Sequence, residues 1–262
     1  VPLSQVASFD QVVARLRAAG CVFAEDEARL LLEAAATAGE LAESVARRAS
    51  GLPLEQVLGW AEFRGLRIAV EPGVFVPRRR TEFLARRAVI AAHAAGPAPV
   101  VVDLCCGSGA VGAAVAADVP GAVVHAADVD AAAVRCARRN LPPDRVYEGD
   151  LDAALPESVR GRVDVLAVNA PYVPTERIAM MPPEARDHEP RVALDGGADG
   201  LAVHRRVAAA APGLLAAGGV VLIETSTEQA PSTAAALAEQ GLDARTVTDP
   251  DVAATVVIGT AG

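Results

Sequence analysis

Apolar residues in the first 58 positions recur with the 3.6-residue period of helices that bury one face. Phe9, Val12, Val13 and Leu16 stand at i, i+3, i+4 and i+7 behind Ser8, whose hydroxyl can cap a helix N-terminus, and Gly20 ends the run. Ala28, Leu31, Leu32 and Ala35 make a second stripe closed by Gly39, and a third helix is expected over 40–49 before Gly51 and Pro53 break the chain. No titratable cluster accompanies these stripes. Residues 1–59 therefore read as a small helical domain suited to docking rather than chemistry.

The period then changes. Leu66, Ile68 and Val70 alternate, and Glu71, Pro72 and Gly73 punctuate before Val74, Phe75 and Val76, which predicts a connecting β-hairpin within 60–76. Thr81 and Glu82 open a further helix that runs to the loop Gly96-Pro97-Ala98-Pro99. Beyond Pro99, short apolar runs at 100–102, 122–124, 163–168 and 220–223 read as buried strands, with a further strand ending before Asp150 and helices near 110–118, 130–140 and 200–211. This alternation predicts an α/β domain over 77–262, a doubly wound, mostly parallel sheet with helices on both faces. Strands near 244–248 and 253–258 would add a final antiparallel pair.

Composition narrows the chemistry. The 262 residues include 24 arginines and no lysine, which excludes Schiff-base catalysis and lysine-dependent phosphate loops. A formal charge of −9 disfavours a duplex-binding surface, so no direct nucleic-acid binding is expected. No uninterrupted apolar run is long enough to span a membrane, and Asp10, Arg15 and Arg17 interrupt any signal-peptide core, which predicts a cytoplasmic protein. Cys21, Cys105, Cys106 and Cys136 form no CxxC pair, the histidines at 93, 125, 188 and 204 share no segment, and no metal is expected.

The first strand of the predicted sheet runs into Asp103-Leu104-Cys105-Cys106-Gly107-Ser108-Gly109, followed by Gly112. Gly107 and Gly109 allow a sharp turn and the close approach of a ligand, and the spacing to Gly112 also matches a dinucleotide fingerprint. Asp103 tilts the choice between ligands by charge. A carboxylate beside the loop repels a pyrophosphate but favours S-adenosylmethionine, which carries a sulfonium and an ammonium. Asp128 ends the second strand at the distance from which an acid reaches ribose hydroxyls, and Asp150 follows the third, where it can accept from an adenine amino group with Leu151 covering the ring. Each aspartate alone could be a cap or turn former. Three at successive strand ends argue for a nucleoside site.

The fourth strand ends in Asn169-Ala170-Pro171-Tyr172. This segment resembles the Asn-Pro-Pro-Tyr motif of methyltransferases acting on planar, conjugated nitrogens. The side-chain oxygen of Asn169 and the backbone carbonyl of Ala170 can each take one N–H of a substrate amide, and the Tyr172 ring can stack on its plane. More of the chain is similar to one branch, the HemK/PrmC-type protein glutamine N(5)-methyltransferases. Pro53 to Gly59 resembles the linker of that family, and Val76-Pro77-Arg78 with Thr81-Glu82 its Pro-Arg-Pro-x-Thr-Glu signature. His188-Glu189-Pro190 through Gly197, and Asp199-Gly200-Leu201, resemble its Glu-Pro-x-x-Ala-Leu-x-Gly-Gly and Asp-Gly-Leu runs.

The resemblance implies a seven-stranded, Rossmann-like class I methyltransferase domain, a substrate-recognition role for residues 1–59, and S-adenosylmethionine as donor with S-adenosylhomocysteine as product. It implies donor contacts from Asp103, Cys105, Cys106, Gly107, Ser108, Gly109, Asp128, Asp150, Leu151 and Asn169. The acceptor amide falls to Asn169, Ala170, Pro171 and Tyr172, with Arg78, Glu189 and Pro190 on the substrate side. The implied partner is a protein methylated on a glutamine side chain, a peptide-chain release factor or a ribosomal protein. The chain departs from the family pattern where Ala170 replaces the first proline, where Cys105-Cys106 stands for glycine or cysteine followed by threonine, and where Arg79-Arg80 replaces a proline. Three alternatives follow: adenine amino methylation of nucleic acid, a donor-binding paralogue without turnover, and, last, a dehydrogenase using NAD.

Overall fold

The computed structural model describes residues 8–262, so the first seven positions of the expected 1–59 domain lie outside it. Helices α1 (Phe9–Ala18), α2 (Ala24–Ala34), α3 (Ala38–Ala49) and α4 (Leu54–Leu58) pack around Val12, Leu16, Leu31, Leu41 and Val45. Ser8 and Gln11 form a reciprocal capping box at the start of α1. Gly39 does not close α2. Thr37 accepts from the Glu40 N–H, caps α3, and leaves Gly39 in that helix's first turn. The unit also holds a titratable pair that its apolar stripes did not announce, since Arg48 on α3 meets both carboxylate oxygens of Glu27 on α2 at 2.6 and 3.0 Å, all of it buried.

The hairpin is shorter and earlier than its apolar alternation suggests. β1 (Trp60–Phe63) pairs antiparallel with β2 (Leu66–Ala69) around a turn at Arg64-Gly65, both in the left-handed region. Residues 74–76 form no strand. The chain between Pro72 and Pro77 instead takes its partners from elsewhere, the Val76 N–H donating to Glu189 Oε1 at 3.0 Å.

After α5 (Thr81–Ala95) come β3 (Val100–Leu104), α6 (Ala110–Asp118), β4 (Val123–Asp128), α7 (Ala131–Ala137), β5 (Val146–Glu148) and β6 (Val163–Val168). The chain continues through α8 (Pro183–His188), α9 (Ala202–Leu214), β7 (Leu215–Thr225), α10 (Ala230–Ala238), β8 (Asp243–Asp249) and β9 (Ala254–Thr260). The seven strands lie in the order β5-β4-β3-β6-β7-β9-β8, all parallel except β9, which runs antiparallel to both neighbours. Alternate residues bury against opposite layers: Val101 and Val165 face Leu84, Ala88 and Ala114, while Val102 and Leu166 face Val207, Ala211 and Leu214. Alanine-rich helices let both layers approach the sheet closely. The chain moves outward from β3 through β4 and β5, then returns to the other side of β3 with β6 and β7. That reversal opens a crevice at the carboxyl ends of β3 and β6, where doubly wound sheets bind ligands.

Among the described residues no helix is long and apolar enough to cross a membrane, and no group of three or more His, Cys, Asp or Glu side chains is arranged to hold a metal ion.

Candidate active site

A cavity of about 640 Å³ occupies the crevice, with Asp103, Cys105, Cys106, Gly107, Ser108, Asp128, Asp150 and Leu151 on one side and Asn169 through Tyr172 on the other. Gly107 (φ +54°) and Gly109 (φ +77°) turn the chain from β3 into α6 through conformations that side chains with a Cβ resist. Their roles differ. A Cβ on Gly107 would meet nothing within 4 Å, whereas one on Gly109 would sit 2.9 Å from Leu141 Cδ1. Gly109 does not line the cavity, and packing against the α7 side of the fold accounts for it. Gly112 is equally confined, with a Cβ 3.1 Å from Val124 and 3.3 Å from Asp103. Its N–H instead donates to Asp103 Oδ2 at 2.8 Å.

Asp103 is buried in the middle of the sheet's carboxyl edge, and loss of water pushes its pKa up to about 7 against the pull of the Gly112 hydrogen bond. Asp128 braces the loop from the next strand: Oδ2 accepts from the Gly107 N–H at 2.8 Å and Oδ1 from the Asp130 N–H at 2.9 Å. Burial raises its pKa as well. Burial likewise raises the thiols of Cys105 and Cys106, which removes them as nucleophiles. Asp150 reaches the cavity rim, where its largely exposed carboxylate pairs through Oδ2 with Arg206 at 2.7 Å. Leu151 behind it is buried in the wall.

Across the β3–β6 pairing, Leu104 is in register with Val168, which brings Asp103 and Asn169 to the same edge. The Asn169 Nδ2 donates to Thr81 Oγ1 at 3.4 Å, and among the described residues its carbonyl oxygen accepts no hydrogen bond. Tyr172 is held from its backbone, whose carbonyl accepts from Gln229 Nε2 at 3.0 Å, and from its ring, which lies near the Arg80 guanidinium and the buried His204. Burial followed by the charge of Glu224 pushes the Tyr172 hydroxyl up to about 12. Arg78 and Pro190 line the cavity, but Glu189 does not. Its buried carboxylate is occupied by the Val76 N–H and by Arg78 Nη2 at 2.5 Å, which ties the arm before α5 to the segment after α8. Glu189 thus braces the cavity wall without reaching it.

In the sequence Thr81 stands out only as part of the family signature and Arg80 only within the Arg78-Arg79-Arg80 run, while Asn140 and Glu224 are not singled out at all. Glu224 carried a signal, being an acid that closes an apolar strand (Val220-Val221-Leu222-Ile223-Glu224) as Asp103 and Asp128 close theirs. Asn140 carried none, and the signature that holds Thr81 did not reveal its contact, because the partners of the two lie 32 and 88 residues away.

The sheet order, the loop after β3 and the acids at successive strand ends define a Rossmann-like class I methyltransferase. The family model described as "Methyltransferase small domain" matches residues 65–181. A methyltransferase of known structure from Pyrococcus furiosus shares the fold, with a TM-score of 0.55 and 17% identity over 84% of this chain and 99% of that one. The chain is 43% identical to a release factor glutamine methyltransferase from Streptomyces coelicolor over 190 residues, covering 71% of this chain and 67% of the relative. It is also 39% identical over 191 residues to a 4-amino-L-phenylalanine/4-methylamino-L-phenylalanine methyltransferase from Streptomyces pristinaespiralis, covering 71% of this chain and 65% of that one. The chain belongs to the release factor glutamine methyltransferase family.

Proposed function

We propose that the protein transfers a methyl group from S-adenosylmethionine to the side-chain amide nitrogen of a glutamine in a peptide-chain release factor. The observation that carries this reading is Asn169, which lines the cavity just beyond the strand paired with that of Asp103, its amide group held by Thr81 while among the described residues its side-chain carbonyl accepts no hydrogen bond.

The residues on the donor side fit that group. Asp103 is a buried carboxylate with one hydrogen bond, suited to a cation; Gly107 leaves open space where a Cβ would stand; and Asp128 is fixed at the adjacent strand end. Asp103, Cys106, Gly107, Asp128 and Leu151 would hold the donor, with Asp150 at the rim. When bound, it supplies an electrophilic methyl group on a sulfonium.

The chain's own work lies on the acceptor side. An amide nitrogen is a poor nucleophile because its lone pair is delocalised into the carbonyl. Asn169 Oδ1 and the Ala170 carbonyl accept its two N–H bonds, turn its face toward the donor and stabilise positive charge as it develops on nitrogen. The Tyr172 ring covers the amide plane. No strong base is needed, because an N-alkylated amide cation is very acidic. The acceleration comes from orientation and fixed dipoles.

The test is to incubate the protein with labelled donor and purified, unmethylated release factor, then locate the label by mass spectrometry. One methyl group on a glutamine side chain is expected, with Asn169→Ala lowering the rate by about 10³-fold while donor binding persists. A second reading, an aromatic amine as acceptor, is favoured by the Streptomyces pristinaespiralis relative. Parallel reactions with 4-amino-L-phenylalanine distinguish the two, and label on that amine with none on protein would replace the first reading by the second.

A further inference from the structure

Glu224 ends the apolar run of β7 with its side chain 2% exposed, outside the cavity wall and directly behind the acceptor clamp. Its Oε1 accepts from Arg80 Nε at 3.3 Å and from the Tyr172 hydroxyl at 3.5 Å. Oε2 is buried with no hydrogen-bond partner among the described residues. Desolvation raises the carboxyl's pKa, with Thr81 and Arg80 beside it pulling the other way. A buried charge satisfied on one oxygen weakens a fold, since an uncharged side chain of similar shape would cost less there. Glu224 therefore needs an explanation other than stability.

Its neighbours supply one. Tyr172 is anchored along its backbone by Gln229 Nε2 on its own carbonyl, and next door by the Val173 N–H to Leu194 and the Val173 carbonyl to Gly196. What remains free is the side chain. Arg80 stands 5.8 Å from the Tyr172 ring centroid on one side and the ring of His204, neutral because burial lowers its pKa to about 4, stands 6.2 Å away on another. Glu224 holds both Arg80 and the Tyr172 hydroxyl, and so fixes the ring angle between them. It also lies beside Thr81, whose hydroxyl accepts from Asn169 Nδ2. One buried carboxylate thus holds the Tyr172 ring and lies beside the Thr81 support of Asn169.

We propose that Glu224 is a positioning residue for methyl transfer, setting the Tyr172 ring and the Thr81–Asn169 contact so that the acceptor's planar nitrogen is presented at one angle to the donor. The proposal rests on the acceptor reading above only for its kinetic arm.

The variant is Glu224→Gln, which keeps shape and an acceptor oxygen but removes the charge, compared with Glu224→Ala. Three measurements are needed on the full chain: unfolding midpoint and affinity for S-adenosylhomocysteine; the spectrum of ¹³Cζ-labelled tyrosine, in which the chain's two tyrosines give two resonances assigned with Tyr147→Phe; and kcat and KM with release factor. The expected result for Glu224→Gln is an unchanged or higher midpoint, unchanged affinity, a displaced Tyr172 resonance and a kcat lower by about tenfold, falling by about 100-fold in Glu224→Ala. A lower midpoint with lost donor affinity marks a merely structural residue and overturns the proposal, as does an unmoved Tyr172 resonance or a wild-type kcat. Should the Glu224 variants not fold, Tyr172→Phe carries the test, since it cuts the same contact, and a wild-type kcat there overturns the proposal. Wild-type protein that transfers nothing to release factor overturns the acceptor assignment instead, and the tyrosine spectrum then decides Glu224 alone.

Discussion

The side-chain amide of Asn140 donates to the carbonyl of Ser108 at 2.8 Å, joining the end of the α7 segment to the glycine loop. The same side chain exchanges two hydrogen bonds with Ala69, Nδ2 to its carbonyl at 3.0 Å and Oδ1 from its N–H at 2.8 Å. One amide therefore fixes the loop's far side to β2 of the hairpin. Asn140→Ala leaves the Ala69 groups and the Ser108 carbonyl without that partner and lets the loop relax. The expected outcome is a donor affinity lower by about tenfold, the worth of one or two net hydrogen bonds, with far smaller change in acceptor KM. Calorimetric titration with S-adenosylmethionine checks it.

How much of this was legible beforehand follows from the range of the interactions. Asp103, Asp128 and Asn169 end apolar strands, so the parallel sheet rule alone placed them at one edge, and the acceptor motif could be read from four consecutive residues. The strands and most helices were legible for the same reason, each being a periodic run of its own. The hairpin turn was displaced because apolar alternation continues past β2 to Val70, while Arg64-Gly65 supplies the left-handed pair that closes it. Glu189 looked like a substrate residue and proved a buried strut, because nothing local reveals that Arg78 and the Val76 N–H, over 110 residues earlier, occupy its carboxylate. Glu27 and Arg48 escaped notice likewise, being 21 residues apart on different helices.

Asp103 makes donor binding and stability oppose each other in pH. Its folded-state pKa of about 7 lies above the ordinary value of 3.8, so the folded protein holds this proton more tightly than the unfolded chain. The stabilising contribution is complete below pH 4 and is lost as pH rises through 7, by about 4 kcal/mol at most. Donor affinity runs the other way, because only the carboxylate attracts a cation. Asp103→Asn keeps an oxygen for the Gly112 N–H and cannot ionise. Urea unfolding at pH 5 and pH 8 is expected to favour the variant increasingly at the higher pH, and titration with S-adenosylmethionine to show wild-type affinity rising across the range while that of the variant stays low and flat.

Ala170 lines the cavity and its N–H makes no hydrogen bond among the described residues, so a proline there removes no donor in use. Fixing φ would hold the Ala170 carbonyl, proposed above as one of the two acceptors for the substrate amide, in a narrower range. Ala170→Pro is expected to raise kcat/KM for a glutamine side chain by about a few-fold, through tighter orientation of that carbonyl against the amide. Rates with release factor and with 4-amino-L-phenylalanine, measured side by side, check it. A gain confined to the aromatic amine would count against the amide acceptor.

Arg48 does more than pair with Glu27. Its Nη1 donates to the Leu52 carbonyl at 2.9 Å and to Glu184 on α8 at 3.1 Å, so one guanidinium links α2, the end of α3 and the segment that leads into Glu189 and Pro190. Arg48→Met strands the buried Glu27 carboxylate and is expected to destabilise the protein by about 3–5 kcal/mol. Adding Glu27→Leu removes the stranded charge and is expected to restore most of that loss, because two apolar side chains fill the same space. The link to Glu184 is not restored by the second change. Hydrogen exchange over 183–188 therefore separates the two contributions: in the double variant global stability recovers while protection of α8 stays low, and acceptor KM rises with donor affinity unchanged. Full protection of α8 in that variant would show that Arg48 acts only within the helical unit.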